Sequence, residues 1–164
     1  MSDGRRDFLV FCLDDNLLGL ALNEVERVYP RVALENPIRK PVEMLGIFQV
    51  GSRRLPVLDI RGFMNLPVRS PALDDVLIEV VSRDGRFAFP ADGLVGTCSF
   101  APEELRECAA VYPGMAGYVN LVAEFEGQTV WIYTLERLFV SHDFPGILAR
   151  CRDAVRQADE EVVE

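Results

Sequence analysis

The sequence predicts a mainly β protein with short helices and one helix at its C-terminus. Three observations lead there. Strand-length apolar runs alternate with clusters of Gly, Asp, Asn and Pro that suit tight turns. One strand plan occurs twice, as GIFQVGSRRLPVLDIRGF (residues 46–63) and GYVNLVAEFEGQTVWIYTLERLF (residues 117–139). Each puts a glycine before a strand, a turn, a second apolar strand and a charged segment ending in Phe. An echo about 70 residues apart points to two copies of a small β unit. After residue 143 the apolar positions switch to helical spacing.

In chain order, residues 1–7 are polar and read as a frayed terminus. Phe8–Leu13 is a strand, Asp14-Asp15-Asn16 a turn and Leu17–Leu22 the return strand, so the chain opens with a hairpin. Asn23 suits a helix cap, and Glu26 stands where a capping box needs it. This predicts a short helix over Glu24–Val28, ended by Pro30. Val32–Leu34 reads as a further short strand and Val42–Leu45 as one helical turn before Gly46. Pro67 and Pro71 mark the stretch 65–74 as the connection between the halves. Asp75–Val81 and Phe87–Ala91 form a hairpin around Asp84-Gly85. Asp92-Gly93 turns into the strand Leu94–Phe100, and Ala101–Leu105 reads as a helical turn. Leu121–Phe125 pairs with Thr129–Leu135. In the segment 141–164, Ile147, Leu148, Cys151, Val155, Ala158 and Val162 form one helical stripe. Asp143 caps that helix, Pro145 suits its first turn, and Arg156 and Glu160 are spaced to pair.

With 164 residues, 49% of them hydrophobic, the chain can form one domain or two half-domains sharing a core. A net charge of −9 repels nucleic acid, and the pairs Arg5-Arg6, Arg39-Lys40 and Arg53-Arg54 build no basic patch in sequence. Cys12, Cys98, Cys108 and Cys151 form no CxxC and lack metal-ligand spacing. They read as small reduced thiols. MSDGRRDF carries no apolar signal core, and the longest apolar runs are strand-sized. The expectation is a cytoplasmic protein that does not insert into membrane.

The residues suggest no reaction centre. His142 is the single histidine, and its neighbours Ser141 and Asp143 are adjacent in a loop, whereas triad members converge from separate segments. Asp14-Asp15, Asp74-Asp75 and Glu103-Glu104 fall at turns or helix starts, where solvated caps account for them. The Asp-Asp-Asn turn lacks calcium-loop spacing. The glycines form neither GxGxxG nor a P-loop. The expectation is therefore a non-enzyme with no cofactor and no metal. Trp131 and Tyr133 alternate with Val130 and Ile132 along one strand. Trp131 reads as a core residue, with a partner-facing aromatic as the alternative. Asp59 and Arg61 flank Ile60, so a strand would put both on one face. They form either an exposed ion pair or a structured corner in which Asp59 accepts from turn donors.

These segments, taken in order, resemble the CheW-like domain family of bacterial chemotaxis. Phe8–Val28 is similar to the family's opening hairpin, with Gly19 in the return strand and Val25 and Val28 in the following V-x-x-V/I pattern. Gln49-Val50-Gly51-Ser52 followed by Arg53-Arg54-Leu55-Pro56-Val57-Leu58-Asp59-Ile60-Arg61 resembles its NLRG…P-V-x-D-L-R segment. Phe89–Val95 resembles its G-x-x-V-D-x-V turn, and Tyr118–Phe139 its closing hairpin and short helix. The resemblance implies two SH3-like five-stranded β-barrels sharing a seam, over residues 8–140. It implies scaffolding without catalysis, between the cytoplasmic tip of a chemoreceptor and the regulatory domain of a CheA-type histidine kinase, at membrane-associated arrays. It marks Leu34, Gln49, Gly51, Arg53 and Arg54 as receptor-binding candidates, and Pro56, Asp59 and Arg61 as a structural motif. Gly51 stands where the family carries arginine and has neither its charge nor its donors. Arg53 and Arg54, next on the turn, are the available substitutes. The alternative function is a receptor-independent module that assembles with other CheW-like domains or serves a non-motility pathway. A small-molecule-binding barrel lacks a convergent polar cluster.

Overall fold

The computed structural model describes residues 4–63, 66, 67, 69, 72, 74–108, 119–135 and 143–163. Within them the chain forms β1 (Arg6–Leu13), β2 (Asn16–Ala21), β3 (Val25–Pro30), β4 (Met44–Val50), β5 (Arg53–Leu58) and the single-turn helix α1 (Ile60–Phe63). There follow β6 (Val76–Ser82), β7 (Gly85–Ala91), β8 (Gly93–Phe100), β9 (Arg106–Glu107), β10 (Leu121–Phe125), β11 (Gln128–Tyr133) and the long helix α2 (Phe144–Val163). The protein is mainly β, as expected.

Two mixed sheets result. One has six strands in the order β8-β1-β2-β11-β10-β9, the other five in the order β3-β6-β7-β5-β4. The sixth strand of the first sheet is the two-residue β9, which sequence analysis did not foresee. Among the described residues the strand pairings close neither sheet into a barrel, and an SH3-like barrel is compatible with both orders. Neither sheet is one sequence half. The opening hairpin β1–β2 joins β8, β10 and β11, while β6 and β7 join β3, β4 and β5. The parallel pairs β11–β2 and β5–β7 close these exchanges.

Side-chain alternation explains why both sheets are buried on two faces. In β1, Phe8 and Val10 pack with Leu17, Phe100, Val130 and Ile132 inside the six-stranded sheet. Their neighbours Leu9, Phe11 and Leu13 face the other way, into a seam shared with Ile78, Val80, Phe87 and Phe89 of the second sheet. A third cluster, Phe48, Leu55, Val57, Leu77 and Ala88, fills the five-stranded sheet. Trp131 is partly buried and packs against the seam.

The segment after β2 departs from expectation. Only Leu22–Glu24 is helical, as a 3-10 turn without a side-chain cap, and β3 begins at Val25. Val25, Val28 and Tyr29 pair with β6. These β-branched and aromatic residues gain more from the ladder than an isolated turn of helix offers. Met44 and Leu45 are in strand rather than a helical turn. The expected strand at 32–34 reduces to one bridge, Glu35 to Ile47. Gly46 permits it, since a Cβ there would lie 2.8 Å from the Glu35 carbonyl oxygen.

The C-terminal helix forms where its stripe placed it. Ile147, Leu148, Cys151, Val155 and Ala158 are all buried, together with Phe144 and Ala154, and join the shared seam. Phe144 meets Phe87 edge-on at 5.1 Å between ring centroids. Asp143 sits at φ 51 and its carbonyl accepts the Ile147 N–H at 3.0 Å. Arg156 pairs with Asp153 rather than with the expected Glu160. His142, Pro71 and the 109–118 and 136–142 segments lie outside the described residues.

Candidate protein-docking site

Arg61 organises the junction between the sheets. It is not on a strand: the chain leaves β5 at Asp59, whose Oδ1 accepts the Arg61 backbone N–H at 3.1 Å and starts α1. Of the two readings of Asp59 and Arg61, the structured corner describes what is seen and the exposed ion pair does not. The change from strand to helix period turns Arg61 inward, where only 8% of it is exposed. Its guanidinium bonds Asp14 Oδ1 at 2.8 Å, the Pro67 carbonyl at 3.1 Å, and Asp92. Asp14 belongs to the β1–β2 turn and Asp92 to the β7–β8 turn, so one side chain ties both sheets together.

The cluster extends further. Asp92 Oδ2 accepts the Asp14 N–H at 2.6 Å, and its Oδ1 accepts Arg69 Nε–H at 3.0 Å. Arg69 also pairs with the buried Asp75, whose Oδ2 accepts the Ala72 N–H at 2.8 Å. Asp14 and Asp75 are thus structural acceptors rather than solvated turn residues. Burial pushes the Asp92 carboxyl up, but hydrogen bonds from Arg61, the Asp14 amide and Arg69 outweigh it and hold it below its usual value. Burial also works against the Arg61 charge, and Asp92 and Asp14 more than compensate.

An apolar groove of about 700 Å³ opens beside this cluster. Val32 and Leu34 come from the β3–β4 connection, Leu45 from β4, Val76 and Leu77 from β6, and Pro90 from β7; Arg61 and Asp92 form its polar end. The same connection carries the most exposed aliphatic side chains of the described residues, Ile38 at 86% and Val42 at 90%.

The other candidates lie on the β4–β5 turn. Gln49 is exposed on β4 and its amide donates to the Gly51 carbonyl at 3.3 Å. Gly51 has φ +59, and no atom lies within 4 Å of where its Cβ would be. Arg53 bonds Glu79 Oε2 at 2.8 Å. Glu79 is fully buried and also accepts from Tyr29 Oη at 2.7 Å. Arg54 is mostly buried and paired with Glu35 and with Asp159 of α2. Leu34, like Val50, packs on the Phe48 cluster. Both arginines of the turn already have acidic partners within the chain. Pro56 sits in a central strand, and its missing N–H fits the single pair, Val57 with Ala88, that joins β5 to β7.

Glu79 and Asp92 went unrecognised in the sequence. Their closest cationic partners, Arg53 and Arg61, lie 26 and 31 residues away, beyond any local spacing. The available signal for Glu79 was a lone carboxylate inside the strand VLIEVV. Among the described residues no group of three His, Cys, Asp or Glu could hold a metal, and no helix is long and apolar enough to cross a membrane.

Two packed sheets, a rigid polar junction and an apolar surface groove define a docking domain. The CheW-like domain family matches residues 7–143, most of the chain, and the protein belongs to that family. Its structure is similar to the crystal structure of the scaffolding protein TtCheW from Thermoanaerobacter tengcongensis, with a TM-score of 0.71 and 19% sequence identity. That likeness covers 82% of this chain and 92% of that one, and it is a likeness of fold. No curated protein matches.

Proposed function

We propose that this protein is a non-catalytic adaptor. It holds a chemoreceptor cytoplasmic tip and the regulatory domain of a CheA-type histidine kinase in fixed relation, in the cytoplasm at membrane-associated arrays. Residues 8–140 are the adaptor domain, joined near 65–74, and 141–164 are an added helix. The observation that carries this reading is the groove at Val32, Leu34, Leu45 and Val76 in a member of the CheW-like family. A receptor tip is a helical hairpin, and an amphipathic helix recognises such a groove through aliphatic anchors. The Arg61 cluster beneath it keeps the two sheets from shifting against each other.

The test is Leu34→Asp, with receptor-tip and kinase-domain binding titrated separately. A charge in the groove should weaken the receptor tip at least tenfold and leave the kinase domain unchanged. Unaltered receptor binding would remove the groove from the account.

A second reading, a module that works without a receptor, has one specific observation in its favour. The turn offers Gly51 where the family has arginine, and Arg53 and Arg54 are engaged by Glu79, Glu35 and Asp159. If that reading holds, wild type fails to bind the receptor tip and Gly51→Arg gains binding. The open space at position 51 can take the side chain, at a backbone cost of about 1 kcal/mol for the left-handed conformation.

A further inference from the structure

A second cleft, of about 650 Å³, lies where α2 crosses β5 and the β6–β7 hairpin. Arg54, Arg86, Arg152 and Arg156 line it, with exposed apolar surface from Val81, and none of its lining residues is acidic. Four arginines on the lining of one cleft stand out in a chain of net charge −9. Three of the guanidinium groups have partners. Arg54 pairs with Glu35 and Asp159, Arg86 with Glu26 and Glu79 at 3.4 and 3.5 Å, and Arg156 with Asp153. Arg152 makes no ion pair among the described residues. It lies against Gly85, where a Cβ would overlap its guanidinium. A second donor is also unmet: Arg54 Nε–H is buried with no acceptor. A buried donor without a partner is costly, and guanidinium groups bind carboxylates strongly through paired hydrogen bonds.

The cleft exists because α2 is present. The family match ends at residue 143, whereas Arg152, Val155 and Arg156 belong to Phe144–Val163. We propose that this cleft docks an acidic segment of a partner protein, one in which a Glu or Asp stands beside an aliphatic residue. The carboxylate meets Arg152, and the aliphatic side chain covers Val81. A cleft open along the surface fits an extended segment better than an enclosed small molecule. This site shares no lining residue with the Leu34 groove and does not depend on the receptor reading.

The experiment is fluorescence anisotropy on the full chain with a labelled peptide of alternating glutamate and leucine. A glutamine–leucine peptide and inorganic phosphate run alongside. We expect saturable binding of the acidic peptide that weakens with salt and falls at least tenfold in Arg152→Glu. Arg152 is exposed, so that variant should keep the wild-type melting temperature. Leu34→Asp should bind the peptide normally. Four results would each overturn the proposal: no saturable binding, equal affinity for the glutamine peptide, an unaffected Arg152→Glu variant, or phosphate binding as tightly as the acidic peptide.

Discussion

Removing the Arg61 guanidinium leaves Asp14, Asp92 and the Pro67 carbonyl without the donor that joins them. Breaking one side of a buried pair costs about 3–5 kcal/mol. Because Asp14 is 27% exposed and can recover water, Arg61→Leu should lose about 3 kcal/mol in urea unfolding. Arg69 is a third exposed, and Arg69→Ala should lose about 1 kcal/mol or less. Equal losses would mean that burial does not rank these two cations. The same cluster sets an acid limit. The folded Asp92 carboxyl lies below its ordinary value of 3.8. Its contribution is therefore complete above that value and is lost as pH falls through the lower folded value. Denaturant midpoints below pH 4 should fall less steeply in Asp92→Asn than in wild type. Burial pushes all four thiols up, Cys151 to about 12, so they should react slowly with a disulfide reagent at pH 8 until the chain is unfolded. Cys108 and Cys151 are buried, whereas Cys12 and Cys98 are partly exposed although both lie in apolar runs. The role of Arg61 could not be read from the sequence, because it depends on a switch from strand to helix at Asp59 and on partners from two distant turns.

The long helix was legible because its stripe repeats at one period over five turns and nothing in tertiary structure competes with it. Helix α2 packs Leu148, at 0% exposure, into the seam between the sheets. Leu148→Ala should cost about 3 kcal/mol and lower the melting temperature by roughly 6–12 °C. An unchanged temperature would mean that the helix does not rest on its own domain. The segment after β2 was misread for the opposite reason. Asn23 and Glu26 have capping-box spacing, but Val25, Val28 and Tyr29 find cross-strand partners on β6. A local signal for a single turn of helix is weak against a strand ladder. The β1–β2 and β6–β7 hairpins were read correctly from their turn residues, Asp14-Asp15 and Asp84-Gly85, and β10–β11 from its two apolar runs.

At the scale of the molecule, the repeat in the sequence and the pairing in space are different divisions. Sequence separates residues 46–63 from 117–139, whereas the sheets exchange hairpins, with β1–β2 on one side and β6–β7 on the other. Local patterns carry no information on parallel pairs such as β2 with β11, so this exchange was not legible. It matters for function because neither sheet can move away without breaking its own ladder. A scaffold that must hold two partners in register gains stiffness from that arrangement. The groove beside Leu34 and the turn at Gly51 are then two features of one rigid platform. The measurement that tests this most directly is retention of a receptor-tip fragment on immobilised CheA-type regulatory domain, with and without this protein. The adaptor account predicts retention only when the protein is present, lost in Leu34→Asp while the protein itself stays bound to the kinase domain. No retention with the wild-type chain bound to the kinase domain would contradict it.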